Sequence, residues 1–194
     1  MSQIWAVTLK ELKIYFVSPI AYIVTAMFLL ISGYFFSMIL AYSKDAGMMR
    51  YLFANMGVML LLLCPLFSMR LFAEEQKHKT LELLMTAPIT EARIVLGKFL
   101  ATALLLLLML CTTVHYPLAL LLLGKPELGP IVSGYLGVFL LGCAFLGIGM
   151  LTSTWTQNQL IAAALSFALS LLLWFSGATG SLAGAEIGAI LTIS

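Results

Sequence analysis

The residues whose types could do chemistry are few and widely spread. Glu74 and Glu75 are adjacent carboxylates of the kind that acid–base catalysis uses, and His78 follows them. The other histidine, His115, lies inside a long apolar run, too far from His78 to share a metal ion with it. No Ser/His/Asp or Cys/His constellation is visible. We therefore predict no catalytic, cofactor-binding or metal-binding residues.

Nucleotide hydrolysis needs a loop that cradles phosphates, and the sequence offers none. No stretch fits G-x-x-x-x-G-K-[ST]. The pairs Gly97-Lys98 and Gly124-Lys125 lack the earlier glycine and the following hydroxyl. The chain is thus predicted not to be an enzyme and to hydrolyse no nucleotide itself.

The rest of the chain is strongly apolar. Of its 194 residues, 62% are hydrophobic and 9% charged, against about 25% charged residues in soluble domains. Residues 14–43, 51–69, 99–124 and 128–185 carry no Asp, Glu, Lys or Arg. An apolar helix of about 20 residues crosses a bilayer. We predict an all-α membrane protein, a single transmembrane domain over residues 1–194, with five spans. The spans are 20–41, 52–70, 93–123, 131–152 and 160–176.

A further helix is predicted over residues 3–17, before the first span. Its apolar face consists of Trp5, Leu9, Leu12 and Phe16. That spacing suits an amphipathic helix lying in the membrane interface, although a short juxtamembrane stub is the alternative. Ser18-Pro19 then breaks the helix, since the residue before proline disfavours the α conformation. The result is an elbow leading into the first span.

The cations predict the orientation in the membrane. With the N-terminus inside, the inner segments hold seven of the Lys and Arg residues and the outer loops hold three. Cytoplasmic segments carry an excess of Lys and Arg. We predict a multi-pass protein of the cell membrane with a cytoplasmic N-terminus and an extracytoplasmic tail over residues 177–194.

Half of the charges lie in one short island. Its members are Arg70, Glu74, Glu75, Lys77, Lys79, Glu82, Glu91, Arg93 and Lys98. Glu75 and Lys79 have the i, i+4 spacing that stabilises a helix. Pro88 ends that helix, and Thr90 is the predicted N-cap of the next one. The pattern predicts a cytoplasmic loop over residues 71–92 with a short helix that a partner could contact; a solvated connecting loop is the alternative.

The order of residues in this loop resembles the first cytoplasmic loop of the ABC-2 type transporter permeases. That family shows acidic residues, a Gly-Thr-Leu-Glu-Leu-Leu run, a proline, and a Gly-Lys pair at the start of the third span. The matching positions are Glu74, Glu75, Thr80, Leu81, Glu82, Leu83, Leu84, Pro88, Gly97 and Lys98. Lys79 stands where the family usually has glycine. Residues 10–19 and 153–163 look like the family's elbow and its link between spans four and five.

The resemblance implies the permease subunit of an ABC exporter. A separate cytoplasmic subunit would bind and hydrolyse ATP and dock on residues 74–88, and a second permease copy would complete the route through the lipid membrane. No nucleic-acid partner is implied. The sequence looks closest to the gliding-motility and copper-enzyme-maturation branch. Because the family has six spans, we expect that the chain ends before its last span; a re-entrant hairpin within 177–194 is the alternative.

Two other functions stay open at this stage. A non-transporting membrane anchor or assembly factor would recruit a cytoplasmic partner through the same loop. An intramembrane hydrolase would use Glu74-Glu75, which resembles the paired acids of CAAX-type proteases, but the later spans lack matching histidines.

His115 is a candidate polar site within the membrane. It lies about 33 Å along the third span from Arg93, close to the outer interface, and Pro117 is expected to kink the helix beside it. Ionisable groups at such positions are often functional. The alternative is a neutral imidazole that is hydrogen-bonded within the bundle.

Two pairs of small residues on the fourth span are spaced for close helix approach. They are Ser133/Gly137 and Cys143/Gly147. Such pairs serve contacts between two copies or ordinary packing within one bundle.

Overall fold

The computed structural model describes residues 3–42, 48–73, 90–123 and 128–193. Within these residues the regular structure is entirely α-helical. The helices are α1 (Gln3–Val17), α2 (Pro19–Tyr42), α3 (Met48–Ser68), α4 (Glu91–Thr112), α5 (His115–Leu123), α6 (Leu128–Trp155) and α7 (Gln159–Ile193). The prediction of an all-α membrane protein is confirmed.

Among the described residues, five helical stretches are long and apolar enough to cross a membrane. They are Pro19–Ala41, Met49–Ser68, Glu91–Leu121, Leu128–Trp155 and Gln159–Ser176. Each stretch coincides with a predicted span to within a few residues. A charge-free run of this length is stable in a bilayer as a helix, because a helix satisfies the hydrogen bonds of its own backbone. Helix α7 continues to Ile193, past the predicted end of the fifth span. The extracytoplasmic position of residues 177–194 stays a prediction.

Helix α3 forms the centre of the bundle. It packs against α2, α6 and α7, and α6 also contacts α4. Met56, Leu60 and Cys64 of α3 are fully buried. Helices α2 and α7 are peripheral and leave large apolar side chains such as Leu30 and Leu172 on the outside. An apolar outer surface is expected where lipid replaces water as the solvent.

Helix α1 lies along α4, but the side of α1 that faces α4 is opposite to the apolar face predicted from the sequence. Its buried residues are Val7, Thr8, Glu11 and Tyr15. Trp5 and Phe16, from the predicted apolar face, are exposed. The apolar face therefore points away from the bundle, where it can contact the membrane interface. The face against α4 contains a carboxylate and two hydroxyls.

The third span is interrupted where the proline predicted a kink. Pro117 has no N–H to donate to the carbonyl four residues earlier, that of Thr113. The α-helix breaks at Thr113 and Val114 and resumes as α5. The Thr113 carbonyl accepts hydrogen bonds from the Tyr135 hydroxyl at 2.9 Å and from the Tyr116 N–H at 3.0 Å. A neighbouring helix thus supplies a second donor to the carbonyl that the proline deprives of its usual helical partner.

Candidate functional site

The predicted loop of residues 71–92 joins α3 to α4, at what we call the loop end of the bundle. The matched loop residues lie outside the described part of the chain; they are Glu74, Glu75, Thr80, Leu81, Glu82, Leu83, Leu84 and Pro88. Their role in docking stays a prediction. The structure describes the two ends of the loop, Leu71–Ala73 and Thr90–Ala92, and the side chains that hold them.

Lys98 is the central group of the loop end. It lies in the second turn of α4, about 10 Å along the helix axis from its first residue. Its side chain is buried, with 1% of the residue exposed. The ammonium donates one hydrogen bond to Glu11 Oε1 at 3.0 Å and another to the Leu71 carbonyl at 2.8 Å. It also lies 5.3 Å from the centre of the Phe72 ring, within the range of a cation–π contact.

These contacts connect three separate parts of the chain. Glu11 belongs to α1, Leu71 and Phe72 begin the loop, and Lys98 belongs to α4. Glu11 is itself 6% exposed, so the pair is largely withdrawn from solvent. Two buried charges are tolerated when they are paired and hydrogen-bonded, whereas loss of one partner typically costs about 3–5 kcal/mol. We call Glu11, Leu71 and Lys98 the latch.

Gly97 permits the close approach of α1 that the latch requires. A Cβ atom on Gly97 would lie 2.7 Å from both Cβ and Cγ1 of Val7, too close for any real side chain. The Thr8 hydroxyl lies over the same turn, 3.1 Å from the Gly97 carbonyl. With α1 at this distance, the carboxylate of Glu11, one helical turn beyond Val7, comes within reach of Lys98.

Ser153, near the end of α6, holds the first residues of the loop from the other side. Its hydroxyl oxygen accepts hydrogen bonds from the N–H groups of Phe72 and Ala73, each at 3.0 Å. The hydroxyl donates to the Met69 carbonyl at 3.3 Å. Helix α3 has ended by this point, so these backbone groups have no partner within it. One buried hydroxyl satisfies three of them and ties the loop to α6.

The far end of the loop is simpler. Thr90 occupies the predicted N-cap position of α4 with an extended backbone (φ −71°, ψ 143°). The predicted N-cap position is confirmed, although the Thr90 side chain makes no capping hydrogen bond. Arg93, one turn into the helix, donates to the side-chain oxygen of Gln3 and adds a second polar contact between α4 and α1.

The structure places His115 on the outside of the bundle, at the first residue of α5. Its Nδ1 lies 2.7 Å from the Thr112 carbonyl, and its side chain is exposed. The buried polar group nearby is Tyr116, whose hydroxyl lies 2.9 Å from Ser32 Oγ and donates to the Leu29 carbonyl at 3.3 Å. No part of this arrangement brings His115 to the loop end, and a role for it in transport stays a prediction.

Gly137 and Gly147, one member of each small-residue pair on α6, make no close contact with the described residues of this bundle. A Cβ added to either glycine would meet no atom of those residues within 4 Å. The close contact between α6 and α4 occurs at Gly142, where a Cβ would lie 2.5 Å from Cδ2 of Leu106. Among the described residues, the close approach of α6 to α4 therefore involves Gly142 rather than Gly137 or Gly147.

Sequence reasoning identified Gly97 and Lys98 as a motif but missed their partners. Glu11 and Lys98 are 87 positions apart, so no local spacing joins them. One signal was available: Glu11 is a lone carboxylate on a helix, one turn from Val7 and one turn from Tyr15, opposite the apolar face. Ser153 gave no signal of its own.

Comparison with known proteins agrees with the geometry. A family model described as "ABC-2 family transporter protein" matches residues 7–180, from α1 into α7. No curated protein matches the chain significantly. The match concerns the family as a whole, and the gliding-motility and copper-enzyme-maturation branch stays a prediction. With nearly its whole length covered by the family model, and with five described helices long and apolar enough to cross a membrane, this chain belongs to the ABC-2 family of transporter proteins.

Proposed function

We propose that this chain is the permease subunit of an ABC exporter and that a separate cytoplasmic subunit, which hydrolyses ATP, docks on the loop of residues 71–92. Family membership supports the permease role. The observation that carries the coupling is the position of Lys98, whose ammonium is bonded both to the loop and to α1. A loop that merely connected two spans would not need a buried ion pair at its base.

The latch offers a physical route for motion from the loop into the membrane. Leu71 and Phe72 are buried where they leave α3, and both are in contact with Lys98 of α4. Ser153 binds the same residues to α6. Because close-packed interiors transmit displacement rather than absorb it, a partner that pulls the loop would move α1 and the ends of α3, α4 and α6 together.

The orientation that this function needs is supported by charge. The cations at the loop end among the described residues are Lys10, Lys13, Arg70, Arg93 and Lys98. Arg50, at the start of α3, is the described cation at the opposite end. An excess of Lys and Arg marks the cytoplasmic side. The loop end would therefore face the cytoplasm, where ATP and its hydrolysing subunit are found.

A second permease copy is part of the proposal. No other described residue lies close to Gly137 or Gly147 on α6, and Leu136 and Leu140 are exposed beside them. Small residues on an outer helix surface let another helix approach closely in lipid. This face of α6 is the one we assign to the contact between copies.

Recovery of a partner from membranes tests the docking role. The intact chain, tagged and extracted from its native membranes, should bring with it an ATP-binding subunit that mass spectrometry identifies. Glu82→Lys should abolish that recovery without loss of membrane insertion. Glu91→Lys is the matched control, since it reverses a charge at the exposed start of α4 outside the matched motif. Normal recovery with Glu82→Lys would exclude docking through this residue, and a partner without ATPase activity would favour the non-transporting anchor.

A further inference from the structure

The break between α4 and α5 divides the third span into two helical segments. The Thr113 N–H donates to the Leu110 carbonyl at 3.0 Å, three residues earlier. The Val114 N–H makes the same kind of bond to the Cys111 carbonyl at 3.2 Å. Such 3₁₀-type bonding within a longer helix often marks a hinge. Pro117 maintains the break, because it lacks the N–H that would make the helix continuous.

The bundle holds the two segments very differently. Helix α4 has buried side chains along most of its length. Among residues 115–121 of α5, Tyr116 and Pro117 are buried, and the others are exposed or half-buried. Pro117 belongs to the break itself. The described part of α5 is therefore held to the bundle mainly through Tyr116.

Tyr116 joins α5 to α2. Its hydroxyl lies 2.9 Å from Ser32 Oγ and donates to the Leu29 carbonyl at 3.3 Å. Its ring stacks on Phe36, with the ring centroids 4.7 Å apart. Hydrogen bonds between membrane helices are of modest strength, so a contact of this kind can form and break.

Tyr135 of α6 allows the joint to bend without leaving a backbone group unpaired. Its hydroxyl donates to the Thr113 carbonyl at 2.9 Å, and its ring packs edge-on against Phe53 of α3 at 5.1 Å. The donor thus belongs to the packed part of the bundle rather than to α5. An unpaired carbonyl is costly in lipid. Because Tyr135 supplies a hydrogen bond from outside, Thr113 keeps a partner when the bond from the Tyr116 N–H changes.

We propose that α5 is a gate that swings about Thr113 and Val114, and that the contact between Tyr116 and Ser32 is the catch that holds it closed. The structure shows the closed state. When the catch opens, α5 separates from α2 and uncovers both hydroxyls at the end of the bundle away from the loop. Helix α4 carries Lys98 of the latch, so a displacement of the loop would reach the joint along α4. That last step rests on the proposed function, whereas the hinge and its catch do not.

Distances between spin labels on the purified full chain, measured by pulsed electron paramagnetic resonance without any partner, test the gate. The gate pair is Met38→Cys of α2 with Leu121→Cys of α5, both at exposed positions. The control pair is Ile23→Cys of α2 with Leu100→Cys of α4, on the loop side of the joint. A swing of about 20° would move Leu121, about 12 Å beyond the joint, by about 4 Å. The three native cysteines are first replaced, as Cys64→Ala, Cys111→Ala and Cys143→Ala.

Variants of the catch and of the joint should change the gate pair in opposite directions. Tyr116→Phe and Ser32→Ala should each raise the ratio of the longer to the shorter distance about threefold, because each removes the hydrogen bond between the two hydroxyls. Tyr34→Phe, which removes an exposed hydroxyl of α2, should leave the ratio unchanged. Adding Pro117→Ala to Tyr116→Phe should remove the longer distance, since alanine restores the missing N–H.

The control pair should keep one distance in all of these variants. An unchanged ratio in both Tyr116→Phe and Ser32→Ala would overturn the proposal. An equal change in the control pair would also overturn it, because the whole bundle would then have loosened. So would a longer distance that persists after Pro117→Ala is added. If Tyr116→Phe does not fold, Ser32→Ala with and without Pro117→Ala makes the same comparisons.

Discussion

Replacing Lys98 by methionine tests the latch most sharply. Methionine keeps most of the volume of the side chain but removes the ammonium, so Glu11 loses its partner at 3.0 Å and the Leu71 carbonyl loses its donor at 2.8 Å. A carboxylate that is 6% exposed then has only the more distant Lys10, at 3.7 Å. Breaking a buried pair in this way typically costs about 3–5 kcal/mol. We expect the free energy of unfolding to fall by about that amount.

A double-mutant cycle separates charge from packing. Glu11→Leu combined with Lys98→Met removes both charges, and an apolar pair of similar volume is often as stable as the ion pair it replaces. The double variant should therefore lose less stability than Lys98→Met alone. Lys10→Gln is the control: its side chain is 52% exposed, and exposed pairs contribute less than about 1 kcal/mol.

Chemical unfolding of the purified chain in detergent, followed by circular dichroism, measures these free energies. A change below about 1 kcal/mol for Lys98→Met would refute the reasoning, because a pair exposed to solvent would give that value. Additive losses in the double variant would also refute it, since residues in direct contact should show a coupling energy of about 0.5–3 kcal/mol.

Three further predictions concern the packing around the latch and the outer face of α6. Gly97→Ala should cost about 1–3 kcal/mol in the same unfolding assay through overpacking, whereas Gly129→Ala, at an exposed glycine with no described residue close to it, should cost nothing. Ser153→Ala should lower the free energy of unfolding by about 1–3 kcal/mol, because it leaves two backbone N–H groups without an acceptor. Ser133→Ala, on an exposed surface, should leave the free energy of unfolding unchanged. Leu136→Cys should cross-link two copies of the chain in native membranes under mild oxidation; its failure to do so would argue against pairing through α6.

The membrane spans could be predicted because one physical constraint dominates them. A backbone in lipid must satisfy its own hydrogen bonds, so the charge-free runs are helical. The elbow at Ser18 and the break before Pro117 followed from the geometry of proline, which acts locally. These features need no knowledge of tertiary contacts.

The latch could not be predicted because its members meet only in the folded bundle. The sequence placed the apolar face of α1 on Trp5 and Phe16, and that face turned out to point outward. Glu11 therefore lies on the face of α1 that is directed into the bundle. The sequence does not identify the helix that Glu11 contacts there. The contact depends on Gly97, whose missing side chain sets the distance between α1 and α4.

The small-residue pairs on α6 show the same limit, because their sequence pattern does not identify the helix that they contact. Their spacing indicates close contact with another helix. The same spacing suits a helix of the same chain and a helix of a second copy, so it does not distinguish them. In the part of the chain that the structure describes, Gly142 lies against Leu106 of α4, while Gly137 and Gly147 have no close neighbour outside their own helix.

The ATPase activity carried by the extracted chain tests the central claim most directly. The tagged wild-type chain, purified from native membranes, should carry ATP hydrolysis, which we assign to the docked partner subunit. Leu84→Asp, in the predicted docking helix, should carry none although the same amount of chain is recovered. Leu128→Asp, an exposed leucine at the opposite end of the bundle, should keep the activity. Wild-type chain without ATP hydrolysis, or full activity with Leu84→Asp, would contradict a permease driven through the loop of residues 71–92.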